Sequence, residues 1–143
     1  MANHQTELRR GDAGSAQVEF AFSIFFMLVV LLTLMELCNA IYTFVVLSDA
    51  ANEGVRYAIV HSSDSNLSSD VQSKVWTYAG AAFSINSPSQ NVIVSVSCPD
   101  TGGCSVPNRV EVNVSYNYAP FIGFFKGAAS PTMTAYAEGR LVN

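Results

Sequence analysis

From Phe20 to Met35 the chain carries no charge, and apart from Ser23 and Thr33 every side chain is Ala, Phe, Ile, Met, Val or Leu. Glu36 interrupts this run, which then continues from Leu37 to Leu47. As a helix, the first run covers only about 24 Å, short of a hydrocarbon core of about 30 Å, so part of the second must be recruited to span it. The pattern predicts a transmembrane helix over about residues 18–42, with an acid near one end. Arg9 and Arg10 precede it and no basic cluster follows it. By the positive-inside rule the N-terminus is expected in the cytoplasm and the rest of the chain outside. A cleaved signal peptide is the competing reading, but the run is long and small-residue sites such as Asn39-Ala40 are poor. Cys38 follows Met35-Glu36-Leu37, without the small residues of a lipoprotein site, and is expected as a buried thiol.

The chain has 143 residues, half of them hydrophobic and 13% charged. That is room for one anchor and one modest domain, and the charged fraction is about half that usual in soluble proteins. The net charge of −4 comes from scattered acids. Nucleic acid is excluded as a partner, because phosphate binding needs clustered Lys and Arg.

Past the membrane the helix is expected to run on to Val60. Phe44, Leu47, Ala51, Val55 and Ala58 recur at spacings of three and four, an amphipathic continuation from about Ala16. Glu53 and Arg56 stand at i, i+3 and can pair. A polar linker, His61 to Ser69, leads to an N-cap at Ser68 or Ser69. A second helix follows, with an apolar face of Val71, Val75, Tyr78, Ala79 and Ala82, stopped by Asn86-Ser87-Pro88. Trp76 reads as a packing anchor. Alternation at Val92, Val94 and Val96, at Val110, Val112, Val114 and Tyr116, and at Met133, Ala135 and Ala137 predicts three strands, the first two antiparallel. The expected fold is α+β: a long N-terminal helix extending into a domain with a short helix and a small antiparallel sheet. The apolar connection Pro120 to Gly127 could be buried core, dip toward lipid or face a partner.

Cys98 and Cys104 flank Pro99-Asp100-Thr101-Gly102-Gly103, a loop that can bring their Cα atoms to about 6 Å. A disulfide would form in an oxidising compartment; reduced loop thiols are the alternative. The spacing is not that of a zinc or thioredoxin-type site. His4 and His61 are isolated, His61, Ser62 and Asp64 are neighbours in a polar linker, and no nucleophile-elbow, zincin, P-loop or calcium-loop pattern occurs. No enzyme activity, cofactor or metal is expected.

The segment Arg9-Arg10-Gly11-Asp12-Ala13-Gly14-Ser15-Ala16-Gln17-Val18-Glu19-Phe20 resembles the prepilin signal of type IV and Flp-type pilins. In that family a prepilin peptidase cuts after a glycine, and a glutamate with an aromatic after it stands fifth in the mature chain. Cutting between Gly14 and Ser15 puts Glu19 and Phe20 there, where Flp pilins usually have tyrosine for the aromatic. A carboxylate at the start of an apolar helix needs a partner or headgroups. The resemblance implies pairing with the N-terminal amine of a neighbouring subunit; an interfacial acid favoured by the helix dipole is the plainer reading.

With Val18-Glu19-Phe20, Glu36, Tyr42 and Ala50-Ala51-Asn52-Glu53-Gly54-Val55-Arg56-Tyr57-Ala58, the first 60 residues or so resemble the TadE-like minor pseudopilins of tight-adherence pili. The chain departs from that pattern in lacking a glycine soon after Glu36 and a basic residue near Asn39. The resemblance implies a cytoplasmic leader (1–14), a long helix (15–60) and an extracytoplasmic domain (61–143). It also implies a place in a bacterial inner membrane and, as partners, a prepilin peptidase, other pilus subunits and the assembly machinery. A standalone membrane-anchored binding module or scaffold is the alternative.

Overall fold

The computed structural model describes the backbone of residues 3–62, 65–83, 92–120 and 131–142, and the side chains of 14–62, 65–81, 92–120 and 131–142. In chain order the elements are α1 (Asn3–Val60), α2 (Leu67–Phe83), β1 (Val92–Ser97), β2 (Arg109–Asn117) and β3 (Thr132–Arg140). The fold is α+β, with an antiparallel sheet in the order β1-β2-β3. The stop at Asn86-Ser87-Pro88 and most of the apolar connection after Pro120 lie outside the described residues.

Two compact units divide the chain at Cys38 and Asn39. In the first, Met1–Cys38, every described residue is helical. Helix α1 begins at Asn3, well before the expected Ala16. Gly11 and Gly14 each cost about 1 kcal/mol in a helix interior, but no proline forbids continuation. From Gly14 to Met35 every side chain is exposed, apolar ones on all sides of the helix. Cys38, expected as a buried thiol, is also exposed.

In the second unit the valines of the sheet face two helices. Val92 and Val94 of β1, Val110, Val112 and Val114 of β2, and Ala135 and Ala137 of β3 alternate inward and are buried. From α2, Leu67, Val71, Val75 and Ala79 close the core. Tyr78 is exposed instead, a position off that stripe. Helix α2 starts two residues before the expected cap: Asn66 holds the cap position, its carbonyl accepting from Asp70 N (3.1 Å) and Ser69 Oγ (2.9 Å). Burying Leu67 accounts for the earlier start. Trp76 donates Nε1–H to the Val92 carbonyl (3.0 Å) and Gln72 donates to that of Val94 (3.3 Å), tying α2 to β1.

The buried stripe of α1 is Thr43, Val46, Leu47, Ala50, Ala51, Gly54, Val55 and Ala58, while Phe44 is half exposed because neither the sheet nor α2 covers it at that level. Thr43 satisfies its buried hydroxyl on the Asn39 carbonyl (2.9 Å). Small residues dominate the middle of this stripe, and they let α1 lie close on its neighbours. A Cβ on Gly54 would stand 2.7 Å from Val75 Cγ2 and 3.3 Å from Val71 Cγ1. One on Gly139 of β3 would stand 2.5 Å from Val55 Cγ1.

This packing predicts that Gly54→Val destabilises the chain by about 1–3 kcal/mol through overpacking. Asn52→Val, at an exposed position of the same turn, should stay within about 0.5 kcal/mol. Urea unfolding of the detergent-solubilised chain, read by Trp76 fluorescence, compares the two; equal midpoints would refute the close approach.

Candidate functional site

The segment singled out for processing and assembly lies on α1. Gly14 and Ser15 are exposed within the helix, and no atom lies within 4 Å of a Cβ built on Gly14. Glu19 and Phe20 are exposed a turn further on, and Val18, Ala21, Phe22 and Phe25 line a shallow apolar groove on the same helix. Glu36 is partly covered and takes part in an interaction; Tyr42 is half exposed and does so too. Helix α1 from Gly14 onward is long and apolar enough to cross a membrane, with its most apolar stretch entirely uncovered. Such a surface is stable only where lipid or other apolar groups replace water.

The stretch Ala50–Ala58 divides into two faces. Ala50, Ala51, Gly54 and Ala58 touch the core, so their small size is a packing requirement. Glu53 and Arg56 point outward and pair at 3.9 Å with both side chains largely in water, a contact of at most about 1 kcal/mol. Tyr57 bridges the faces: half buried against the core, its ring stacks on His61 at 4.0 Å, with Lys74 Nζ 5.5 Å from its centroid. His61 Nδ1 lies 3.0 Å from the Tyr57 carbonyl and its backbone N–H donates there as well (3.1 Å), which ends α1. The imidazole therefore closes a helix. Ser62 Oγ donates to the Val142 carbonyl (3.4 Å), and Asp64 lies outside the described residues. Among the described residues, no three His, Cys, Asp or Glu side chains gather as a metal site needs.

The loop between β1 and β2 is held at several points. Cys98 and Cys104 are joined by a disulfide, their Cα atoms 5.2 Å apart. Gly102 and Gly103 take φ of 115° and 70°, a turn that side chains resist. Asn108 Nδ2 donates to the Gly103 carbonyl (2.8 Å), and the Asn108 carbonyl accepts from Leu141 N (2.9 Å). The Asp100 carboxylate accepts from Arg109 N (2.8 Å), Nη2 (3.1 Å) and Nε (3.3 Å). These hydrogen bonds hold the Asp100 carboxyl below its usual range. On the outer face of the sheet Glu111 and Glu138 stand opposite each other, and Tyr136 donates to Glu138 Oε2 (2.8 Å). That hydrogen bond, with partial desolvation and the second acid, pushes the Tyr136 hydroxyl up to about 12. The sequence reading missed the Asp100–Arg109 fork and the Tyr57–His61 stack. A nine-residue separation across a disulfide loop marks the first only in retrospect, and the i, i+4 spacing of two rings at a helix end marks the second.

A protein-family model described as TadE-like protein matches residues 14–56. The match takes in Gly14, Glu19, Glu36 and the Ala50–Arg56 segment. No curated protein and no solved structure matches the chain. Over those residues the chain is similar to a family of Tad pilus-associated proteins, and among the described residues one helix is long and apolar enough to cross a membrane.

Because Asp100 titrates lower folded than unfolded, its contribution to stability is fully present above the ordinary value of 3.8 and is lost as pH falls through the lower folded value. Arg109→Ala should raise the NMR titration midpoint of the Asp100 carboxyl carbon part of the way to its ordinary value, the bond from the backbone N–H of residue 109 remaining. A midpoint unchanged by the substitution would show that the fork is not closed in solution.

Proposed function

We propose, from the premise that this is a TadE-like protein of a Tad pilus system, that it is a minor pseudopilin, a membrane-anchored subunit that acts in pilus assembly by packing and not by catalysis. In this reading residues 1–14 are a leader in the cytoplasm, a prepilin peptidase cuts between Gly14 and Ser15, α1 spans the inner membrane over about 18–42, and the domain over 61–143 stands on the outer side.

The observation that carries the reading is the conjunction in one helix of Gly14-Ser15, an exposed Glu19 and a wholly uncovered apolar surface. A carboxylate beside such a surface costs several kcal/mol at mid-bilayer. The new amine of Ser15 on a neighbouring subunit would neutralise it. The uncovered surface then serves first lipid and later other pilus subunits. Arg9 and Arg10, without a basic cluster beyond the span, support the cytoplasmic N-terminus. The disulfide between Cys98 and Cys104 fits an oxidising compartment for the domain.

Intact-mass measurement of the protein from its native membrane should give a chain starting at Ser15. Glu19→Ala should insert normally but leave cells without pili, counted by electron microscopy. A chain still beginning at Met1, or normal piliation by the variant, would favour an uncleaved scaffold or a standalone anchored binding module.

A further inference from the structure

We propose that the foot of the second unit, residues 39–45 of α1 together with Tyr118, is seated in the headgroup layer of the bilayer, so that the unit rests on the lipid surface instead of standing clear of it. The proposal rests on the reading of α1 as a membrane span. It concerns what covers the surface at and just past the expected end of that span.

Residues on the uncovered side of α1 change character abruptly. Ile41, Tyr42, Phe44 and Val45 are each about half exposed, Val45 to 48%. The next residues on that side are Ser48, Asp49, Asn52, Glu53 and Arg56. The lateral surface therefore passes from apolar to polar between Val45 and Ser48. Over the same turns the other side of the helix is already covered: Thr43 is 5% exposed, Val46 and Tyr118 are buried, and Asn39 donates its amide to Tyr118 Oη (3.1 Å). The apolar collar and the base of the unit thus share one level. Whatever depth covers the collar also holds the base.

Length sets that depth. From Val18 to Val45 the helix rises about 40 Å, well beyond a hydrocarbon core of about 30 Å and close to the roughly 40–45 Å of a bilayer with its headgroups. With Glu19 at one interface, the collar falls in the other. Tyr42 is the residue type that favours that layer, an apolar ring with a polar tip. In open water the collar would leave four large apolar side chains uncovered together.

The test uses the full chain in phosphatidylcholine–phosphatidylglycerol vesicles at high lipid-to-protein ratio. A Cys38→Ser background leaves the Cys98–Cys104 disulfide intact and frees single cysteines for an environment-sensitive fluorophore. Leu31→Cys, Val45→Cys and Asn52→Cys are each labelled and exposed to nitroxide lipids or aqueous iodide. The Val45→Cys label should lose most of its emission to a shallow nitroxide lipid and little to iodide, and the Asn52→Cys label the reverse. Quenching of the Val45→Cys label by iodide alone would mean that the unit stands clear of the bilayer. Protection from both quenchers would mean that a second copy covers the collar. Either result overturns the proposal. The Leu31→Cys label separates these from failure of the premise, because without deep-lipid quenching there the span itself is wrong.

Discussion

A helix can be apolar on every side only where water does not reach it, and the first half of α1 is such a helix. Everything else in the chain is arranged around the point where that condition ends. Beyond Asn39 the same helix must have one dry face and one wet face, and it meets this with a stripe of Ala and Gly set against the valines of a sheet and a second helix. Among the described residues the core contains no fully buried aromatic ring; the largest fully buried side chains there are leucine and valine. Close backbone approach at Gly54 and Gly139 compensates for that lack of bulk, since thin layers fill the interior as long as they sit near one another.

The segment that matches the TadE-like family spans both halves of this arrangement. Its residues fall into physically different groups. Ala50, Ala51 and Gly54 are fixed by packing, whereas Glu19 and Phe20 are exposed. Glu53 and Arg56 belong to neither group, being solvent-facing and weakly paired.

Much of this was legible in the sequence because it depends on period. The three strands follow from alternating valines, and their antiparallel order from the short connection through Cys98 and Cys104. The long helix follows from an uncharged run. What was misread depends on where one element ends against another. Phe44 has the spacing of a core residue, but it is half exposed, while Thr43, a weaker apolar signal, is covered. Tyr78 was assigned inward by the same logic and lies outward, one position off the buried stripe of α2. Helix α2 begins at Leu67 because burial of that side chain outweighed the serines that follow. At the candidate site, residue types and spacing were readable, but the division of Ala50–Ala58 into packing and surface residues required the partner elements, which lie far away in the chain.

The tie between α2 and β1 has a consequence for life in a crowded envelope. In a three-stranded sheet β1 is an edge, and an edge with free carbonyls is a template on which any extended chain can add a strand. Trp76 and Gln72 occupy the carbonyls of Val92 and Val94, so an incoming strand would first have to displace both side chains. Strand addition at this edge is thereby discouraged.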